Sequence, residues 1–208
     1  MSRDVASPSQ TVGPFFHVGL TTDAALGRIA PPDAPGEHIH LRVRVLDGDG
    51  APVPDALIEV YQADGNGVYA REGEFNGFGR LPTGEDGVCV FETVRPGLVT
   101  IADSDGLAGY QAPHINVCVF ARGLLRHLYT RIYFAGDPGI ETDPILALVT
   151  PERRNTLIAV PSRESMPMRA ESRTSTPESR LPSAGALPAT WDFLIRLQGE
   201  NETVFFDV

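Results

Sequence analysis

The chain has 208 residues, with 18 prolines, 21 glycines and a formal net charge of −10, long enough for one domain with a substantial core. The acidic balance argues against nucleic acid as a partner, because phosphate recognition needs a basic surface. No apolar run is long enough to span a bilayer, and residues 1–8 lack the apolar stretch of a secretory signal, so a soluble, cytoplasmic protein is expected.

Residues 1–36 are rich in Pro, Gly and Ser, carry little periodicity, and are expected to form an extended N-terminal arm lying across a neighbouring surface. Residues 37–208 are expected to form the domain proper. At His38 the pattern changes: Ile39, Leu41, Val43 and Val45 alternate with His40, Arg42 and Arg44, the period-two signature of a half-buried strand. Asp47-Gly48-Asp49-Gly50 then reads as a turn, since Gly tolerates positive φ and Asp bonds its own backbone. Further strands are predicted over 56–63, 88–94, 114–121, 128–134, 190–197 and 202–207. Thr150-Pro151-Glu152 reads as the start of a short helix, with Thr as cap and Pro in the first turn. Many strands and few helices predict an all-β fold, an antiparallel sandwich with long loops.

Residues 161–189 stand apart, being Pro, Ser, Thr, Arg, Glu and Ala with almost no large apolar side chains. They are expected to form a mobile surface insertion. Cys89 and Cys118 both fall in apolar strand-like runs and are expected as buried, reduced thiols.

Two places invite a metal reading. His38-Ile39-His40 is a His-x-His, but it opens a strand with no Tyr, Asp or Cys cluster nearby, and an exposed strand face accounts for it. In His114-Ile115-Asn116 the outer residues share a strand face, roughly 6–7 Å apart along the chain. A second imidazole at 116 would aim two ring nitrogens at one ion. The amide that stands there is a poor ligand beside imidazole or phenolate.

The stretch from Leu41 to Tyr69 contains a Gly turn, then Leu57-Ile58-Glu59-Val60-Tyr61-Gln62-Ala63, then Gly67-Val68-Tyr69. It closely resembles the signature of the intradiol ring-cleaving dioxygenases, with Val43 standing where that family usually has glycine. The resemblance continues through Phe75–Arg80, Val94-Arg95-Pro96-Gly97, Ala112-Pro113-His114-Ile115-Asn116 and Arg131–Phe134, and resumes at 195–207. It implies a ferric ion held by two tyrosinates and two histidines, a catechol substrate and dioxygen. At the ligand positions the chain departs from the family. Val99 follows Arg95-Pro96-Gly97-Leu98 where the second tyrosine is expected, Asn116 replaces the second histidine, and residues 71–80 hold Phe75 and Phe78 but no tyrosine. Tyr69 matches the tyrosine of the signature rather than a ligand, so His114 alone is expected to survive, and no metal is expected in this chain.

That pattern resembles the iron-free subunits of heteromeric family members, whose partner shares the fold and carries Fe(III). Residues 9–20 resemble the arm of such subunits. By position this implies that Thr11, Gly13 and Pro14 from the arm, and Arg131 from a strand, bind substrate beside the partner's iron, with no catalytic residue in this chain alone. Arg131 could equally pair with an acid at a subunit contact. Tyr129 and Tyr133 alternate with apolar residues, so packing or interface duty is their default. Glu59 is expected to accept structural hydrogen bonds. A non-enzymatic binding domain derived from the same fold is the alternative, and a self-sufficient site relocated to His38 and His40 is a third.

Overall fold

The computed structural model describes residues 11–69, 75–101, 109–162 and 188–207. Its frame is an eight-stranded sheet in the order β3-β2-β7-β8-β9-β10-β1-β4. The strands are β1 (His38–Leu46), β2 (Leu57–Gln62), β3 (Phe78–Pro82), β4 (Val88–Val94), β7 (His114–Phe120), β8 (Leu128–Phe134), β9 (Ile158–Pro161) and β10 (Ala189–Arg196); β5 (Val99–Ile101) and β6 (Gly109–Gln111) pair separately. Each strand's apolar residues recur every second position, and the period-two rule sends them to one side. Leu41, Val43, Val45, Phe91, Phe193 and Ile195 from one half of the sheet meet Ile58, Val60, Val117, Val119, Ile132 and Phe134 from the other in a single buried cluster.

The expectation of an antiparallel fold needs correction. β1 pairs β10 in parallel, and β8 pairs β9 in parallel, while the other pairings are antiparallel. Parallel neighbours need long connections, and β1 and β10 are separated by most of the chain. Residues 202–207 do not form the expected strand. β9 pairs β8 only at Tyr133 and Phe134, which leaves the Tyr129 end of β8 open, and there the C-terminal segment makes one bridge, Phe206 N–H donating to Tyr129 O at 2.8 Å.

The segment expected as an extended arm carries a short helix, α1 (Pro14–Leu20), and a 3-10 turn over Ala24–Gly27. The turn at Asp47 is as expected: its Oδ1 accepts from the N–H groups of Asp49 and Ala51, and Gly50 has φ of 82°. The predicted helix start at Thr150 is a 3-10 helix, Pro151–Leu157, without a side-chain cap. Of the predicted insertion, residues 163–187 lie outside the described residues. Its edges are strand, because Pro161 closes β9 and Ala189 opens β10. Both cysteines are free, Cys89 buried but Cys118 only half-buried, since it lies on the strand face turned away from the core.

The signature glycines have a job in placing the site. Gly67 (φ of 80°) and Gly97 approach backbone to backbone, and a side chain on either would collide with the other loop. This contact brings the loop ending in Tyr69 against the loop leading to Val99.

Candidate functional site

On the face of β7 and β8 opposite the core, the register sets Asn116 across from Arg131 and His114 across from Tyr133. On the other side of β7, Asn116 pairs with Tyr61 of β2. His114, Tyr69, Asn116 and Tyr129 form one hydrogen-bonded group, beside which Arg131 pairs with Gln111 and Tyr133 with Asp143.

The direction of each bond follows from chemistry. His114 is buried, and its Nδ1 lies 2.8 Å from the carbonyl of Ala112, which can only accept, so the ring proton sits on Nδ1. Nε2 is therefore an acceptor, and Tyr69 donates its hydroxyl proton to it across 3.1 Å. Asn116 Nδ2 donates to the Tyr61 carbonyl at 3.2 Å and to the Tyr69 hydroxyl oxygen at 3.0 Å. The Tyr61 carbonyl fixes which end of the amide is nitrogen. Asn116 Oδ1 then accepts from the Tyr129 hydroxyl at 2.5 Å.

Arg131 is held by neighbours of the same group. Its Nη1 donates to Gln111 Oε1 at 3.1 Å, and the hydroxyls of Tyr129 and Tyr133 lie against the guanidinium. Tyr133 donates in turn to the buried Asp143, 3.1 Å away, whose carboxylate also accepts from the N–H groups of Ala112, Ile145 and Leu146. Arg131 Nε is buried with no acceptor among the described residues.

Burial, reinforced by the Arg131 charge, lowers the His114 pKa to about 4, so the ring is neutral at ordinary pH. Burial raises the pKa of Tyr69, against the opposing pull of Asn116 and Arg131. Burial and the Asp143 charge raise that of Tyr133. Both remain phenols rather than phenolates.

The arm residues gather elsewhere. Thr11 Oγ1 accepts from Gly123 N–H at 2.7 Å in the turn between β7 and β8. Thr11 and Gly13 line a half-open cavity of about 570 Å³ with Phe16, Phe120, His127 and Tyr129, and Pro14 begins α1. Arg131 does not line that cavity; Tyr129 is the residue common to both places. Tyr69 is the residue that sequence reasoning left out, and the structure makes it the hub on which His114 and Asn116 converge.

A family model described as Dioxygenase matches residues 11–178. The chain is 43% identical to the protocatechuate 3,4-dioxygenase alpha chain of Pseudomonas putida, over 97% of this chain and 96% of that one. This chain belongs to the intradiol ring-cleaving dioxygenase family. Another member, the protocatechuate 3,4-dioxygenase beta chain of Burkholderia cepacia, is 31% identical over 76% of this chain and 69% of its own length. Among solved structures, catechol 1,2-dioxygenase from Pseudomonas arvilla C-1 superposes with a TM-score of 0.61 at 26% identity, over 83% of this chain and 55% of that chain.

Iron is the metal that membership in the intradiol family implies, and the residues at the implied ligand positions do not fit it. Val99 is apolar and buried. Asn116 offers an amide whose oxygen already accepts from Tyr129. His114 and Tyr69 are engaged with each other, and burial opposes ionisation of the phenol. The half-buried Glu59 accepts from Arg80 Nε at 2.8 Å, a structural pair as expected. His38 Nε2 lies 3.0 Å from the carbonyl of Ala34. Among the described residues, no three or more His, Cys, Asp or Glu side chains gather as a metal-holding group.

Proposed function

We propose that this chain is the alpha subunit of a protocatechuate 3,4-dioxygenase. It lacks an iron site of its own and completes the pocket of a beta subunit that holds Fe(III) and cleaves 3,4-dihydroxybenzoate with O2 to 3-carboxy-cis,cis-muconate. The observation that carries this reading is the pairing of His114 Nε2 with the Tyr69 hydroxyl, which engages the one residue left at an implied ligand position. The likeness to an alpha chain along nearly its whole length supports it, as does the likeness to a beta chain.

Thr11, Gly13 and Pro14 from the arm, with Arg131, are the residues that meet the partner's substrate. Arg131 is only half-buried and its Nη1 is held by Gln111, so an acceptor carried by the partner's pocket can reach its side chain. A substrate carboxylate is a fitting one. The two half-sheets, which share one core cluster, form a β-sandwich whose outer face carries these groups. The reaction belongs to the cytoplasm, and no described helix is long and apolar enough to cross a membrane.

Expression with and without a candidate beta chain tests the assignment. Iron and ring-opening turnover are expected only when both chains are present. Stoichiometric iron with turnover in this chain alone would overturn it. The alternative of a non-enzymatic binding domain predicts a soluble monomer that ignores the beta chain.

A further inference from the structure

We propose that the dismantled metal pocket has become a positioning device for Arg131, with Tyr129 and Asn116 fixing the guanidinium in the pose that meets the substrate carboxylate. The inference rests on the assignment of Arg131 to the partner's pocket and adds what the remnant does there.

Hydrogen-bond direction fixes the role of each group. From the Ala112 carbonyl outward, each group in the chain of bonds has only one role left to it. His114 donates from Nδ1 and accepts at Nε2. Tyr69 donates to His114 and accepts from Asn116. Asn116 donates from its nitrogen and accepts at its oxygen from Tyr129. With its proton committed to Asn116, the Tyr129 oxygen has only lone pairs left to offer, and Arg131, the one cation in the group, is its neighbour two positions along on the same face of β8. Polar chains of this kind, fully satisfied in a low-dielectric setting, specify a single arrangement.

A histidine at 116 could not reproduce the arrangement, because Asn116 makes two donor contacts from one nitrogen and an acceptor contact from one oxygen. Replacement of a ligand by an amide therefore does more than remove a metal. It links the old ligand His114 to Tyr129. Gln111 accepts from Arg131 Nη1, and the Asp143-anchored Tyr133 flanks Arg131 on the same face of β8.

The test is steady-state kinetics of the complex co-purified with its iron-bearing partner, using Arg131→Ala, Tyr129→Phe and the double variant. Tyr129→Phe removes one hydroxyl and is expected to raise KM for 3,4-dihydroxybenzoate about fivefold to tenfold, with a much smaller change in kcat and with iron content retained. In the Arg131→Ala background the same change should add little, because the group it positions is gone. Should Tyr129→Phe prevent assembly, Gln111→Leu, on β6, carries the same expectation. An Arg131→Ala effect with no effect of Tyr129→Phe or Gln111→Leu would overturn the positioning network and leave the assignment of Arg131 standing. Full additivity in the double variant would also overturn the network. Unchanged kinetics of Arg131→Ala would sink both readings.

Discussion

Strands β7 and β8 have two faces that solve opposite problems. One presents Val117, Val119, Ile132 and Phe134 to the core, where burial alone is enough and shape is the only constraint. The other presents His114, Asn116, Tyr129, Arg131 and Tyr133, groups that are stable away from water only when paired. The core face tolerates drift among apolar residues. The polar face does not, since a lost donor exposes the next group's unmet demand. His114, Tyr69, Asn116 and Tyr129 meet that demand by bonds among themselves.

The contrast is broken most severely from the core side. Phe134→Ala removes a fully buried ring that packs edge-on against Trp191, with centroids 5.2 Å apart, and lies beneath Arg95. It is expected to cost about 3–5 kcal/mol in denaturant unfolding; a cost near zero would show that the apolar face is not the stabilising one.

Next in size comes the pH response of the polar face. The His114 pKa falls to about 4 on folding, from an ordinary 6.5, chiefly through burial. A base whose pKa is lowered prefers its neutral form folded, so its contribution is complete above about pH 6.5 and is lost as pH drops toward 4. The full contribution is on the order of 3 kcal/mol. His114→Gln should flatten the slope of stability against pH across that window. An unchanged slope would assign the acid sensitivity to carboxylates instead.

Asn116→Leu sharpens the comparison, because it places a core-like side chain on the polar face. It strands the Tyr61 carbonyl, the Tyr69 oxygen and the Tyr129 hydroxyl, and should destabilise by about 1–3 kcal/mol despite added apolar volume. A stabilising result would show that the polar face is dispensable. The smallest effect belongs to neither face. Arg28 Nε and Glu92 Oε2 form an exposed pair at 3.1 Å, and Arg28→Ala should change stability by less than about 1 kcal/mol, with a larger loss marking it as part of the packing.

Strands β1, β4, β7, β8 and β10 were legible because each is a local alternation of apolar and polar residues, and the apolar set lies on the core side. The residue types at 99 and 116, valine and asparagine, were equally legible. Tyr69 was not. Its hydroxyl reaches His114 only because Gly67 and Gly97 let two loops, 30 positions apart, touch backbone to backbone, and no local pattern encodes that approach. The C-terminal segment failed for a similar reason: its alternation was real, but a strand also needs a free neighbour, and β8 has one only near Tyr129.

The order of residues thus determined by itself where most strands run and which side of each is apolar, because these depend on side-chain type and on a period of two. Tertiary structure alone decided which strands pair in parallel, that Tyr69 joins His114 and Asn116, and that Gln111 meets Arg131. Those outcomes rest on contacts between residues far apart in the chain, where loop closure and hydrogen-bond direction choose the partner.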